Sequence, residues 1–141
     1  MNLILVPLDT SEAAASVLAQ ASELAKAFGY GLLLLTVGDV VVNNAMIEVM
    51  ESERITAEQA LLSYLGQHAT RLQSADLTVE TMVIDARDPA AAITDTAESR
   101  GAEMIVMSSH GRTGPARWLL GSTAERVMRS STVPVHLVPV R

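Results

Sequence analysis

Short strand-like runs alternate with helix-like stretches along this chain, and that alternation limits the folds open to it more than any other feature. The runs fall at Leu3 to Leu8, Leu32 to Val37, Leu77 to Ile84, Met104 to Met107 and Val133 to Val140. Four stretches lie between them, at about Glu12 to Phe28, Ala45 to Leu72, Pro89 to Ser99 and Ser122 to Ser130. In the first, Val17, Leu18, Ala21, Leu24, Ala25 and Phe28 recur every three or four residues, the spacing of one helix face. Asp9-Thr10-Ser11 offers that helix an N-cap, and Gly29 and Gly31 stop it. Asp88-Pro89 pairs a capping carboxylate with proline at the first helical position. The order β-α-β-α-β-α-β-α-β predicts an α/β fold with a mostly parallel sheet. At 141 residues one domain spanning residues 1–141, with one core, is expected.

The strand compositions predict the sheet order. The first, second and fourth strands are almost continuously apolar, as when helices cover both faces. The third carries Thr78, Glu80 and Thr81, and the fifth carries Pro134 and Pro139. Polar residues and prolines belong at sheet edges. Right-handed crossovers then give the order 3-2-1-4-5, an open, Rossmann-like, five-stranded parallel sheet with helices on both faces. Its winding reverses between the first and fourth strands. Ligands of such sheets bind above the strand C-termini at that reversal, which Pro7 to Ser11 and Ser108 to Gly114 flank.

Composition narrows the chemistry. The chain has no cysteine, so disulfides, thiolate metal sites and cysteine nucleophiles are excluded. A net charge of −6 argues against wholesale nucleic-acid binding. The charge is uneven: residues 1–100 hold 14 acids and 5 bases, residues 101–141 hold 2 acids and 5 bases. A basic last third suits a small anionic ligand. Arg126 and Arg129 have the plainer reading of complementing a helix C-terminus, which does not serve Arg112 in its glycine-containing loop. No stretch reaches the apolar length of a membrane span, and Asp9 interrupts an N-terminus without a basic n-region, so a cytoplasmic location is expected.

Ser108-Ser109-His110-Gly111-Arg112-Thr113-Gly114 and Gly121-Ser122-Thr123-Ala124-Glu125 carry the chemistry of the last third. Glycine lets a ligand approach the backbone, and a helix start presents unpaired amides and a positive dipole end to phosphate. The same glycines serve ordinary turns, and Ser122-Thr123-Ala124-Glu125 also fits a capping box. A ligand could displace that cap. There is no G-x-x-x-x-G-K-[ST], no G-x-G-x-x-G after the first strand, and the single lysine is Lys26. No nucleophile, base and orienter converge as catalysis needs. His110 reads either as a base beside glycine or, the favoured reading, as a residue fixing its own loop. His68 and His136 have no identifiable partner, and Trp118 is expected to pack against the last helix.

Val6-Pro7-Leu8-Asp9-Thr10-Ser11, Thr36-Val37-Gly38, Val133-Pro134-Val135 and the spacing Gly111-x9-Gly121-Ser122 together resemble the universal stress protein family over essentially the full length. Its nucleotide-binding branch carries G-x2-G-x9-G-[ST] after the fourth strand. Ser108 stands where the first glycine is expected, and Arg87 replaces a glycine common before the Asp-Pro pair. The resemblance implies an ATP site. Asp9 would contact the adenine edge, with Pro7, Leu8 and Val37 packed near the base and Met107 and Ser108 by the ribose. Gly111, Arg112, Gly121, Ser122 and Thr123 would hold the phosphates, and Mg²⁺ could accompany them on phosphate oxygens and waters. The resemblance also implies a homodimer through the strand-five edge, Val133 to Val140, where a bare apolar edge would be a liability. The implied role is a stress-response sensor or regulator whose conformation or partner choice follows nucleotide occupancy. Two alternatives stay open: a nucleotide-free protein-interaction member, which Ser108 supports, and a weak ATPase or autophosphorylating enzyme.

Overall fold

The computed structural model describes residues 1–11, 13–38, 47–110 and 120–139, without the side chains of residues 47–56. Its elements are β1 (Leu3–Pro7), α1 (Ala14–Phe28), β2 (Gly31–Gly38), α2 (Ile47–Leu72), β3 (Val79–Asp85), α3 (Pro89–Ser99), β4 (Ala102–Ser108), α4 (Ser122–Ser130) and β5 (Val135–Val138). The strands form one sheet in the order β3-β2-β1-β4-β5, and every neighbouring pair is parallel. The order expected from strand polarity is the one observed.

Period-two alternation explains why the central strands are almost continuously apolar. Ile4, Val6, Leu32 and Leu34 face a layer built from Val17, Leu18 and Ala21 of α1 and Leu65 of α2. Leu3, Leu5, Leu33, Leu35 and Ile105 face the other way, onto Ala90, Ile93 and Ala97 of α3 and Ala124 and Val127 of α4. Each central strand therefore buries both of its faces. The edges differ: β3 exposes Glu80 and Thr81, and Glu80 pairs with Arg100 at the end of α3.

Several local expectations are corrected. The residue at the N-cap of α1 is Ala13, with no side-chain cap. Asp9 instead turns its carboxylate onto the Ser11 amide at 3.1 Å, a local turn that competes with capping a helix further on. Gly29 does end α1, at φ 74°, but Gly31 opens β2 and is buried. A Cβ there would lie 2.8 Å from the Met1 sulfur and 3.2 Å from the Thr78 carbonyl oxygen. Phe28 is 55% exposed and stacks on Tyr30 rather than entering the core. β5 is shorter than Val133 to Val140 because prolines bracket it. Pro134 contributes only its carbonyl, which accepts from Ile105 N–H at 2.9 Å, and Val140 lies outside the described residues. Among the described residues, no helix is long and apolar enough to cross a membrane.

Candidate functional site

The crevice forms where β1 and β4 part. Past the end of β1, Leu8 N–H still bonds the Leu35 carbonyl at 2.8 Å, so the chain follows β2. Past the end of β4, Ser109 N–H bonds the Val138 carbonyl at 3.0 Å, so that chain follows β5. Adjacent strands diverge to opposite neighbours and leave a cavity of about 160 Å³ between them.

Its walls come from five elements. Pro7, Leu8 and Asp9 arrive from β1 and its exit, Leu35 and Val37 from β2, and Met107, Ser108 and His110 from β4 and the following turn. Pro89 and Ile93 of α3 and Thr123 and Ala124 of α4 complete it. Most of these residues are apolar, and Asp9, Ser108, His110 and Thr123 are the polar ones among them, the composition of a small-molecule site.

The Asp9 side chain is exposed at the rim. The next residue, Thr10, sits at φ 67°, a left-handed conformation that a β-branched residue adopts only under constraint. Burial, and after it the Asp9 charge, pushes the Tyr64 phenol above its ordinary 10.0.

On the opposite side, the Ser108 hydroxyl donates to the His110 carbonyl at 2.6 Å, and its oxygen accepts from the His110 amide at 3.2 Å. Ser109 Oγ lies 3.1 Å from His110 Nδ1. The Ser109 carbonyl accepts from Gly121 N–H at 2.7 Å, which fixes the start of α4 beside this turn. The N-cap of α4 is Gly121, with no side-chain cap, so the anticipated capping box of Ser122 is not formed. The first intrahelical bond runs from Glu125 N–H to the Gly121 carbonyl. The amides of Ser122, Thr123 and Ala124 therefore have no acceptor among the described residues.

The α3 start is capped differently. Asp88 accepts from Ala91 N–H at 3.2 Å and from Arg126 of α4 at 2.7 Å. The hydrogen bond from Arg126, then that from the Ala91 amide, holds the Asp88 carboxyl below the usual carboxylate range. Arg126 thus serves a partner on a neighbouring helix rather than its own helix dipole, whereas Arg129 pairs with Glu125 one turn back at 2.7 Å. His68, for which no partner was evident, contacts Arg71 at 3.1 Å and meets Tyr64 edge-on. Burial, then Arg71, lowers its pKa.

Of the residues singled out in the sequence, Pro7, Leu8, Asp9, Val37, Met107, Ser108 and Thr123 share this one cavity. Gly121 and Ser122 stand at the adjoining helix end, outside its wall. Gly111, Arg112 and Trp118 lie outside the described residues. Sequence reasoning missed Leu35, Pro89, Ile93 and Ala124, and for His110 it favoured a residue fixing its own loop over a base. Leu35 was accessible from period two with Val37, and Pro89 with Ile93 from the i, i+4 spacing. Nothing local placed the α3 start over this crevice.

The family model described as the universal stress protein family matches residues 1–139. A universal stress protein of Methanocaldococcus jannaschii, MJ0531, is 31% identical over 140 residues, covering 96% of this chain and 80% of its own length. The solved structure of the hypothetical protein MJ0577 superposes with a TM-score of 0.82 at 26% identity, over 99% of this chain and 96% of that one. Two further solved structures share the fold. A universal stress protein from Archaeoglobus fulgidus in complex with dAMP has a TM-score of 0.66 at 21% identity, over 97% and 96% of the two chains. A universal stress protein in complex with cAMP has a TM-score of 0.65 at 22% identity, over 98% and 96%. A match of the family model to nearly every residue, together with this sheet order and crevice, decides the assignment: the chain belongs to the universal stress protein family.

Proposed function

We propose that this chain binds an adenine nucleotide, ATP foremost, in the crevice between β1 and β4, and that it acts in the cytoplasm as a stress-response regulator whose conformation or partner choice follows occupancy. The observation that carries this reading is the start of α4. Its Ser122, Thr123 and Ala124 amides have no acceptor among the described residues, beside a crevice whose lining is mostly apolar. Unpaired amides and the positive dipole end favour phosphate there. Asp9 at the far rim is the group for the adenine edge, with Pro7, Leu8 and Val37 beside the base. Met107 and Ser108 take the sugar, while Gly121, Ser122 and Thr123, with Gly111 and Arg112, take the phosphates. Universal stress proteins whose structures are in complex with dAMP and cAMP support a nucleotide of this class. Among the described residues, no three His, Asp or Glu side chains gather to hold a metal, so Mg²⁺ would ride on phosphate oxygens and waters. The β5 edge is the surface for a homodimer, since pairing it with its symmetry mate would cover an open strand.

The nucleotide-free alternative draws on Ser108, which stands where the nucleotide-binding branch has glycine. Its hydroxyl is folded back onto the His110 main chain, which weakens that ground. Calorimetric titration with ATP, ADP and AMP tests the proposal. Saturable binding at one site per chain is expected, and no saturation up to millimolar nucleotide would overturn it.

A further inference from the structure

β5 directs its main chain two ways. The Pro134 carbonyl accepts from Ile105 N–H at 2.9 Å, and the Val138 carbonyl from Ser109 N–H at 3.0 Å. With Ile105 opposite Val135 and Ser108 opposite Val138 in the parallel register, Pro134, His136 and Val138 turn their main-chain groups inward to β4. Alternation leaves Val135 and Leu137 with N–H and C=O pointing outward from the edge. The flanks of that edge are closed to pairing. Pro139 has no N–H. Val133 commits both of its groups to one hydroxyl: its carbonyl accepts from Ser131 Oγ at 2.7 Å, and its N–H donates to the same oxygen at 3.1 Å. Between the two outward residues stands His136. By period two its side chain shares the α1 face of the sheet with buried Val138, and it is exposed there.

A two-fold axis normal to the sheet sets β5 antiparallel to its copy. Facing residues then lie on the same side of the sheet, so one residue must face its own copy. Centring the pair on Leu137 would set Val135 against Pro139 of the partner subunit, which has no N–H to return. Centring it on Val135 would set Leu137 against the partner subunit's Val133, whose groups are already engaged. Centring it on His136 lets Val135 and the partner subunit's Leu137 exchange both bonds, on each side of the axis. His136 and the partner subunit's His136 are then the pair between. That pair is of the closely spaced, non-hydrogen-bonded kind, with Cα atoms about 4.5 Å apart. We propose that the two His136 rings, meeting at the two-fold axis on the exposed α1 face, bind a divalent metal ion of the Zn²⁺ class. This rests on the homodimer through β5 stated above. Neutral imidazole is a ligand suited to Zn²⁺, Ni²⁺ and Cu²⁺. Side chains of a facing cross-strand pair are near enough to turn their ring nitrogens onto one ion, at the usual ~2.0–2.1 Å. Water completes the coordination. Within one chain, no three such ligands gather among the described residues, and the second copy supplies His136 with the partner it lacks.

The chain has no cysteine, so single introduced cysteines report the register. In chelator-treated protein, His136→Cys is expected to cross-link the dimer on mild oxidation, because a facing pair at this spacing meets disulfide geometry. Leu137→Cys is expected not to, since its two copies are offset along the strands beyond that reach. Zn²⁺ titrated into the wild type by calorimetry should saturate at one ion per dimer. His136→Gln should lose that binding, and His68→Gln should keep it. Sedimentation equilibrium should show Zn²⁺ tightening the wild-type dimer, by mass action on the form that binds it, and leaving the His136→Gln dimer as it is without metal. If the dimer forms but Leu137→Cys cross-links in place of His136→Cys, the inference falls and the homodimer reading stands. The same holds if the wild-type dimer binds no Zn²⁺, or if His136→Gln binds it equally well. If the wild type stays monomeric with and without Zn²⁺, the homodimer reading falls and takes this one with it. Should a cysteine variant fail to fold, the Zn²⁺ titrations of wild type and His136→Gln decide.

Discussion

Arg126 of α4 donates a 2.7 Å hydrogen bond to the Asp88 carboxylate while Asp88 caps α3 through the Ala91 amide. One carboxylate thus joins the two helices whose first turns, at Pro89 and Thr123, line the crevice. The two links differ in strength. An exposed ion pair contributes little, whereas a lost N-cap leaves an unpaired amide at a helix end.

Asp88→Ala is therefore expected to lower the melting temperature more than Arg126→Ala does, with Asp88→Ser, which keeps a cap, in between. The pH dependence has a definite sign. The folded Asp88 carboxyl titrates below its usual range, so the pair stabilises fully above pH ~4, the unfolded value. That contribution fades as pH falls through the lower, folded value. Thermal melts of wild type and Arg126→Ala should differ at neutral pH and converge in strong acid. A gap that widens on acidification would contradict this.

Gly121 separates the stability of α4 from its proposed ligand. It occupies the N-cap at φ −63° and ψ 151°, a conformation open to any residue, yet contributes no side-chain acceptor. Gly121→Asp supplies one, and its charge suits the helix dipole. A gain of a few tenths to about 1 kcal/mol in unfolding free energy is expected. The same carboxylate would repel phosphate, so ATP affinity should fall about tenfold or more. Denaturant melts and calorimetry on one preparation check both signs, and a variant that gains stability while binding ATP as before would move the phosphates away from α4.

Thr10 holds a left-handed conformation, at φ 67°, between Asp9 at the crevice rim and the Ser11 amide that Asp9 bonds. Strain of this kind costs about 1–3 kcal/mol, against about 0.4–1 kcal/mol of extra unfolded-state entropy for glycine. Thr10→Gly is expected to stabilise the chain by roughly 1 kcal/mol, measured by urea unfolding. A destabilised variant would mean that the threonine side chain makes up for its own strain.

Sheet order was legible because it follows from composition: Pro134, Pro139 and Glu80 suit only edges, and the Leu32 to Leu35 run suits only a covered centre. The crevice followed from that order, and with it the meeting of Asp9, Val37 and Ser108. What stayed hidden was set by contacts distant in sequence. The carboxylate that Arg126 reaches is 38 residues away. Capping was misread at Asp9 and left open at Ser122 for one reason: both carry side chains able to cap, and spacing does not say whether the backbone turns them toward the helix. Asp9 bonds two residues ahead, and α4 begins one residue too early for Ser122 to serve.

The long helix α2 offers a test of packing against propensity at adjacent positions. Leu65 is fully buried against the sheet, while a Cβ at Gly66 would have nothing within 4 Å. Leu65→Ala removes buried methyl groups and leaves a cavity, a loss of about 2–5 kcal/mol. Gly66→Ala adds a methyl in open space and removes glycine's backbone freedom from a helix interior, a gain of about 1 kcal/mol. For a chain of this size, that gain corresponds to roughly 2–4 °C in melting temperature. Opposite shifts in calorimetric melts are expected. Destabilisation by Gly66→Ala would show that α2 meets a surface at Gly66, because propensity alone can only favour alanine there.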